Sequence, residues 1–183
     1  MSDEHASSPL GGLSRLVKHG LEFWAPPSQL YWIDHGRGAP LAIMARPRAG
    51  EALSKDVQIW REAGVRRVVS LLEPDEARAL GLDAEATACA AQGLDWLNFP
   101  IPDHDIPADR DALLAFARPL SQSDEAIAIH CFAGIGRSSL MAASLLTLRG
   151  LPAQVAFDRI SAARGRRVPD TEDQRQWVMR LAP

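Results

Sequence analysis

Short apolar segments that alternate with helix-like patterns restrict what this chain can fold into more than any other feature of its sequence. Five such segments occur from Gln29 onward, and the most apolar of them are RVVSLL at 67–72 and AIAIH at 126–130. Strands that alternate with helices are joined by crossover connections, which place them parallel in one sheet. The pattern therefore predicts an α/β domain with a mainly parallel sheet. The predicted strands cover residues 30–33, 41–45, 67–72, 94–99 and 126–130.

The predicted helices rest on apolar stripes and on residues that start or end helices. Ser54 is predicted to cap a helix that carries Val57 and Trp60 on one face and ends at Gly64. Glu73 is predicted to be a carboxylate at a helix start. The segment 137–149 is apolar nearly all round, which is typical of a buried helix. Further helices are predicted at 83–92, 109–120 and 171–181 and from Pro152 onward.

Composition and charge exclude several classes of protein. The chain has 183 residues, a formal net charge of −3 and 46% hydrophobic residues, which suits one globular domain without a general affinity for nucleic acid. Its longest apolar run, at 140–148, is much shorter than the about 20 residues that a membrane span needs. Two cysteines do not make a disulfide scaffold, so the expected compartment is the cytoplasm. Residues 1–12 are expected to be a flexible tail and residues 13–183 the domain.

A glycine-containing loop joins the last predicted strand to the buried helix, and it carries a cysteine and an arginine. A helix N-terminus directs several backbone N–H groups at one point and adds about half a positive charge. Gly134 and Gly136 allow the backbone conformations that a tight anion-binding loop requires. Arg137 offers a planar pair of donors matched to two phosphate oxygens. The residues predicted to surround a bound phosphate are Phe132, Ala133, Gly134, Ile135, Gly136 and Arg137.

Cys131 lies at the start of this loop and therefore in the same positive field. Such a field favours the thiolate, which is the nucleophilic form of cysteine. Ser138 follows the arginine and is predicted to donate a hydrogen bond to the sulfur when the sulfur later departs. A buried cysteine is more often inert core, but that interpretation does not explain why these residue types occur together at this spacing.

The run from His130 to Ser138, in which five residues separate Cys131 from Arg137, resembles the signature of the cysteine-based protein tyrosine and dual-specificity phosphatases. The wider phrase HCFAGIGRSSLMAASLL at 130–146 is most similar to the small kinase-associated dual-specificity branch. The resemblance extends over about residues 41–177. It implies a twisted, mostly parallel central sheet flanked by helices, and no metal or other cofactor.

Phosphoryl transfer from an ester also needs an acid that protonates the leaving oxygen. The segment FPIPDHDIP at 99–107 follows a predicted strand and resembles the acid loop of this family, and its Pro-Ile-Pro-Asp phrase selects Asp103. Asp105 is the alternative, because a loop alignment is easily displaced by two residues. His104 is a third, less favoured candidate. All three also fit an ordinary proline-flanked turn.

Several other residues have a supporting or an undecided role. His130 is predicted to hydrogen-bond the loop backbone and fix its shape. Gln174 resembles the family glutamine that positions water, and it fits equally well a capping box with Thr171. Cys89 is predicted to fill the core, with a reversible disulfide to Cys131 as the alternative. The basic group Arg164, Arg166 and Arg167 either attracts dianionic substrates or is a solvated surface.

The predicted function is hydrolysis of phosphomonoesters through a cysteinyl-phosphate, with phosphotyrosine as substrate and phosphoserine or phosphothreonine as further substrates. The partner is thus a phosphoprotein or a phosphorylated small molecule. A phosphoinositide phosphatase is the alternative, although loops for such substrates tend to carry lysines and this one has Phe132, Ala133 and Ile135. A non-catalytic phosphate-binding adaptor is a third interpretation. The sequence does not indicate an oligomeric state.

Overall fold

The apolar segments in which the sequence predicts strands form one sheet. A computed structural model describes residues 27–36 and 38–181. Its strands are Tyr31–Trp32 (β1), Leu41–Met44 (β2), Arg67–Ser70 (β3), Asp95–Asn98 (β4) and Ile127–His130 (β5). The order across the sheet is β1-β2-β5-β3-β4, and only the β1–β2 pair is antiparallel. The predicted mainly parallel sheet is confirmed.

Seven helices in the described part of the chain surround this sheet. They are Glu51–Glu62 (α1), Pro74–Ala79 (α2), Glu85–Ala91 (α3), Arg110–Ser121 (α4), Gly136–Leu148 (α5), Ala153–Arg164 (α6) and Glu172–Met179 (α7). Eleven residues of α5 are buried, which agrees with its apolar sequence. Of these described helices none is both long enough and apolar enough to cross a lipid bilayer.

Alternating side chains of the strands belong to two core clusters on opposite faces of the sheet. Ile127 and Ile129 of β5 belong to the cluster that contains the buried residues of α4, α5, α6 and α7. Ala128 belongs to the other cluster, which includes Trp60 of α1 and Cys89 of α3. This division follows from the two-residue period of a strand. The helices therefore cover both faces of the sheet, as a parallel sheet requires.

The start of α1 differs from the sequence prediction. Ser54 does not cap this helix, because the helix begins at Glu51 and its N-cap is Gly50. The buried carboxylate of Asp56 accepts hydrogen bonds from the backbone and side chain of Arg48, which ties the preceding chain to the helix. That anchor, which joins residues eight positions apart, outweighs the capping preference of serine.

The sequence also predicts a helix start at Glu73 and a flexible N-terminal tail. Glu73, predicted at a helix start, is the N-cap of α2 and forms a capping box with Glu76. The predicted tail, residues 1–12, lies outside the described residues.

The strand order determines which loops meet at one edge of the sheet. The parallel strands β2, β5, β3 and β4 all end on the same side, and β5 lies in the middle of the sheet. Ligand sites in open α/β sheets form outside these carboxyl ends. The loop after β5 is therefore flanked by the segments that follow β2, β3 and β4.

Candidate active site

The loop that begins at Cys131 joins the central strand to the buried helix. Cys131 directly follows β5, and Arg137 is the second residue of α5. Only 3% of the surface of Cys131 and 1% of that of Arg137 is exposed. A cysteine and an arginine separated by five residues are thus held in one buried turn at the N-terminus of a thirteen-residue helix.

External donors hold the carbonyl groups of this loop. The backbone N–H of Arg46 donates to the carbonyl of Phe132 at 3.1 Å. The Arg164 side chain donates to the carbonyls of Ala133 and Gly134 at 3.3 and 3.1 Å. The N–H and C=O of a trans peptide point in opposite directions, so the next three amides, those of residues 133, 134 and 135, face away from these donors. The loop thus directs a set of N–H groups to its concave side, as an anion-binding nest does.

Two glycines of the loop occupy positions where a side chain does not fit. Gly134 has φ of +68°, and a Cβ there would lie 2.3 Å from the carbonyl oxygen of Met44. At Gly136 a Cβ would lie 2.6 Å from Asp170 Oδ2 and 2.8 Å from Gln174 Oε1. The first glycine lets the loop approach the end of β2, and the second lets the start of α7 approach the loop.

The guanidinium of Arg137 is held from two sides. One terminal nitrogen donates to Glu76 Oε2 at 2.7 Å and to the carbonyl of Ile101 at 3.1 Å, and the other donates to Glu76 Oε1 at 2.9 Å. Asp103 Oδ1 lies 2.9 Å from the latter nitrogen. Burial alone would lower the pKa of Arg137, but the hydrogen bond to Glu76 and the charges of Cys131, Glu76 and Asp103 outweigh it and raise the pKa. This arginine therefore keeps its positive charge.

The two candidate acids occupy different places in their loop. The N–H of Asp105 donates to the carbonyl of Pro102, so Asp103 and His104 are the central residues of a tight turn. Both central residues face the cavity at Cys131, with Asp103 on Arg137. The Asp105 carboxylate instead accepts the N–H of Ile106 at 2.8 Å. Of the two carboxylates, that of Asp103 lies at the cavity and on Arg137, and that of Asp105 is turned to its own backbone.

A small cavity of about 60 Å³ brings the predicted residues together. Its lining residues are Asp103, His104, Cys131, Phe132, Ala133, Arg137, Asp170 and Gln174. Gln174 also forms the capping box with Thr171, and its side-chain amide donates to the carbonyl of Asp105. The predicted capping box is formed, and the same side chain faces the cavity.

Three further predicted site residues lie in the loop or directly next to it in sequence. Ser138 is fully buried, and its Oγ has no hydrogen-bond partner among the described residues, so the predicted hydrogen bond to Cys131 is not formed here. His130 is also fully buried, and its Nδ1 lies 3.3 Å from the carbonyl oxygen of Cys131. Ile135 is the N-cap residue of α5.

Two acidic residues of the site have no counterpart in the sequence analysis. Glu76 holds Arg137, and Asp170 lines the cavity. Neither belongs to a short motif: Glu76 sits in a six-residue helix, and Asp170 sits in a loop beside Pro169. The only available signal for Glu76 was its place three residues after the helix-start carboxylate Glu73, which is the spacing of a capping box.

The second cysteine and the basic group lie apart from the cavity. Cys89 is a free thiol in the core cluster on the opposite face of the sheet from that of Cys131. Burial, followed by the charge of Glu85, raises the pKa of Cys89 to about 12. Of the basic group, Arg164 braces the loop, whereas Arg166 and Arg167 line a separate cavity of about 330 Å³. The basic group therefore does not act as a unit.

Sequence comparison assigns the chain to a family. Residues 42–151 match the family described as the DSP-PTPase phosphatase of polymorphic toxin systems, and the match covers more than half of the chain. The chain belongs to this family and is a phosphatase of the dual-specificity, protein tyrosine phosphatase class, which confirms the resemblance drawn from the loop. No curated protein sequence matches the chain.

Solved structures of phosphatases share the fold. A kinase-associated phosphatase whose catalytic-site cysteine is replaced by serine has a TM-score of 0.73 at 20% identity, covering 84% of this chain and 93% of that one. Tk-PTP in its active form has a TM-score of 0.64 at 25% identity, covering 86% and 97%. PTPMT1 in complex with PI(5)P has a TM-score of 0.62 at 18% identity, covering 85% and 94%.

The contact of Gly134 with β2 gives a first prediction. Gly134→Ala places a methyl group against the Met44 carbonyl, so the loop must move and inhibition by vanadate, a phosphate mimic, should weaken at least about tenfold, or about 1.4 kcal/mol. Gly93→Ala is the matched control, because Gly93 has nearly the same φ of +69° but open space around the added Cβ. It should lower stability by about 1–2 kcal/mol for the left-handed backbone and leave vanadate inhibition unchanged. Equal effects of the two substitutions would contradict the role of the close approach.

Proposed function

We propose that this chain hydrolyses phosphomonoesters, above all phosphotyrosine, through a phosphocysteine intermediate on Cys131. The observation that carries the proposal is that Cys131, Arg137 and Asp103 line one cavity. A nucleophile, an anion clamp and an acid are the three groups that this reaction needs. An adaptor that only binds phosphate needs the clamp alone.

In the first step the Cys131 thiolate attacks phosphorus in line with the ester oxygen. The S–P bond forms as the P–O bond breaks, and Asp103 gives its proton to the departing oxygen. The loop N–H groups and Arg137 hold the equatorial oxygens, where charge is concentrated in the transition state. Because Asp103 rests on Arg137 in this structure, a phosphoryl oxygen would take its place on that nitrogen and free the carboxyl for the leaving group.

In the second step water attacks the phosphocysteine and Asp103 takes a proton from it. The S–P bond breaks and the thiolate leaves. The buried Ser138 hydroxyl, which lacks a partner among the described residues, would donate to the sulfur at this stage, since an unpaired buried hydroxyl is costly. Gln174 faces the cavity and would orient the attacking water.

The rim of the cavity favours an aryl phosphate over a phosphoinositide. At about 60 Å³ the cavity is far smaller than the roughly 300–1,000 Å³ of pockets that enclose a drug-sized ligand. Only the phosphoryl group would be enclosed, and the rest of the substrate would lie on the rim. The rim offers the half-exposed ring of Phe132 for an aromatic leaving group. It also carries the acidic Asp103 and Asp170, and no lysine is among its described lining residues, which disfavours further phosphates on the same substrate.

The family and the thiol chemistry suggest a setting for this activity. We propose that the chain acts as the phosphatase of a polymorphic toxin system, in line with the family's description. A nucleophilic thiol needs a reducing compartment such as the cytoplasm, and Cys131 and Cys89 are both free thiols.

The nucleophile is tested with Cys131→Ser. A serine hydroxyl is not ionised at neutral pH, so kcat for p-nitrophenyl phosphate should fall below about one hundredth of the original value. Vanadate or phosphate should still bind to the loop, because the N–H groups and Arg137 remain. Cys89→Ala is the matched control and should keep its activity, since Cys89 lies in the other core cluster. Turnover above that limit in Cys131→Ser would exclude a phosphocysteine.

The acid is tested with Asp103→Asn and, as its matched control, Asp105→Asn. With p-nitrophenyl phosphate the leaving phenol is already acidic, so the loss should be modest. With phosphotyrosine the leaving group needs the proton, so kcat/KM of Asp103→Asn should fall towards the about 10²–10⁴-fold of general acid catalysis. Asp103→Asn should also lose the basic limb of the pH–rate profile, whereas Asp105→Asn should keep it. The opposite pattern would move the acid to Asp105.

The substrate class is tested with phosphotyrosine peptides and phosphatidylinositol phosphates in parallel. The acidic rim predicts a kcat/KM at least about tenfold higher for the peptides. Asp170→Asn removes one negative charge from the rim. It should narrow the difference in kcat/KM between the two substrate classes, because the lipids should be hydrolysed faster. Faster hydrolysis of a phosphoinositide by the unmodified protein would favour the lipid alternative, for which PTPMT1 with bound PI(5)P is a structural precedent.

A further inference from the structure

A buried carboxylate lies behind the active-site loop, and the mechanism above does not use it. Glu85 is the first residue of α3, and only 1% of its surface is exposed. Its Oε1 lies 2.8 Å from Nε2 of His130, which is fully buried as well. His130 ends β5 and directly precedes Cys131. Glu85 therefore reaches the nucleophile through one intervening side chain.

The contact between Glu85 and His130 holds two buried polar groups against each other. The two atoms are close, but their geometry is not that of a directed hydrogen bond. A buried carboxylate is unfavourable unless a polar or charged group faces it, and the ring of His130 faces Glu85. The negative charge of Glu85 is also one of the two causes that raise the pKa of Cys89, one helical turn further on.

The other ring nitrogen of His130 contacts the backbone of Cys131. Nδ1 lies 3.3 Å from the carbonyl oxygen of Cys131. A carbonyl oxygen only accepts hydrogen bonds, so Nδ1 must carry a proton for this contact to be favourable. Because Nε2 contacts Glu85 and Nδ1 contacts the Cys131 carbonyl, both nitrogens of the ring are held by neighbours. The orientation of the imidazole is thereby fixed against the peptide that follows the nucleophilic sulfur.

We infer that Glu85 is a positioning residue, which acts through His130 to orient the Cys131 peptide and to stabilise the Cys131 thiolate. Holding the Cys131 carbonyl against His130 turns the following N–H, that of Phe132, in the opposite direction. That N–H then lies on the side of the loop where the thiolate forms, and Glu85 keeps it there by fixing the ring of His130. The inference rests on the proposed role of Cys131 as nucleophile, but it concerns the reactivity of the thiol and can be measured without turnover.

The test is the rate at which iodoacetamide alkylates Cys131 at pH 6, where only thiolate reacts. The label reports Cys131 alone, because Cys89 is the only other cysteine and is buried with a pKa of about 12. Glu85→Gln keeps the shape of the side chain and removes its charge. It should slow alkylation about tenfold, which corresponds to about 1.4 kcal/mol. It should also lower kcat while KM for p-nitrophenyl phosphate stays within about threefold, since the phosphate-binding groups are unchanged.

A merely structural ion pair would give a different result. Asp56→Asn is the matched control, because Asp56 is a fully buried carboxylate on α1 whose partner is Arg48. It should lower the melting temperature and leave alkylation of the folded protein unchanged. Alkylation at the original rate in folded Glu85→Gln would overturn the inference. If Glu85→Gln does not fold, Glu85→Asp carries the test, because it keeps the charge but withdraws it from His130; an unchanged rate there would overturn the inference as well.

A double-substitution cycle tests whether Glu85 acts through His130. Glu85→Gln added to His130→Asn should slow alkylation no further than His130→Asn alone, because residues in one chain of contacts do not add. Additive slowing would assign Glu85 a separate effect and contradict the relay. If the unmodified protein hydrolyses no phosphomonoester but Glu85→Gln still slows alkylation, the proposed function fails and the relay stands.

Discussion

The geometry of this site depends on the contacts that the buried guanidinium of Arg137 makes. A guanidinium that is 1% exposed costs free energy unless its donors are paired. Glu76 pairs with both terminal nitrogens, and the carbonyl of Ile101 adds a further acceptor. This pairing links α5, the short helix α2 and the segment after β4, which are distant in sequence. The clamp and the acid loop are therefore positioned by the same charge.

The close approach of the loop to the sheet sets the second constraint. The carbonyl of Met44, at the end of β2, lies where a side chain at Gly134 would be. The Phe132 carbonyl accepts a hydrogen bond from the backbone N–H of Arg46, which lies two residues after Met44. The segment after β2 and the loop after β5 thus fix each other's backbone. Parallel pairing of β2 and β5 makes this possible, because it brings both carboxyl ends to one edge.

The sequence predicts the parts of the site that are close together along the chain. Cys131, Arg137 and the two glycines lie within seven residues between a buried strand and a buried helix, so their chemistry and their position follow from one local pattern. Glu76, Glu85 and Asp170 were missed because a carboxylate on a short helix or in a loop has no periodic signature. Their significance comes from a contact across tens of residues, such as the 61 between Glu76 and Arg137. Ser54 was a wrong prediction for a more local reason, since a side-chain contact between Asp56 and Arg48, eight residues apart, ties the chain before α1 to the helix.

The charges of the site suggest how a dianion is recognised in an acidic surrounding. Glu76 and Asp103 already compensate Arg137, and Asp170 adds another negative charge at the cavity. The carboxylates therefore offset the charge of Arg137, while the guanidinium of Arg46 lies 5.3 Å from the centroid of the Phe132 ring at the same cavity. Arg137 then acts mainly through its directed donors, together with the oriented N–H groups and the dipole of α5, which are effective at the short range of the loop. A site of this kind holds one phosphoryl group by geometry, and additional phosphates on the same molecule would meet carboxylates at the rim.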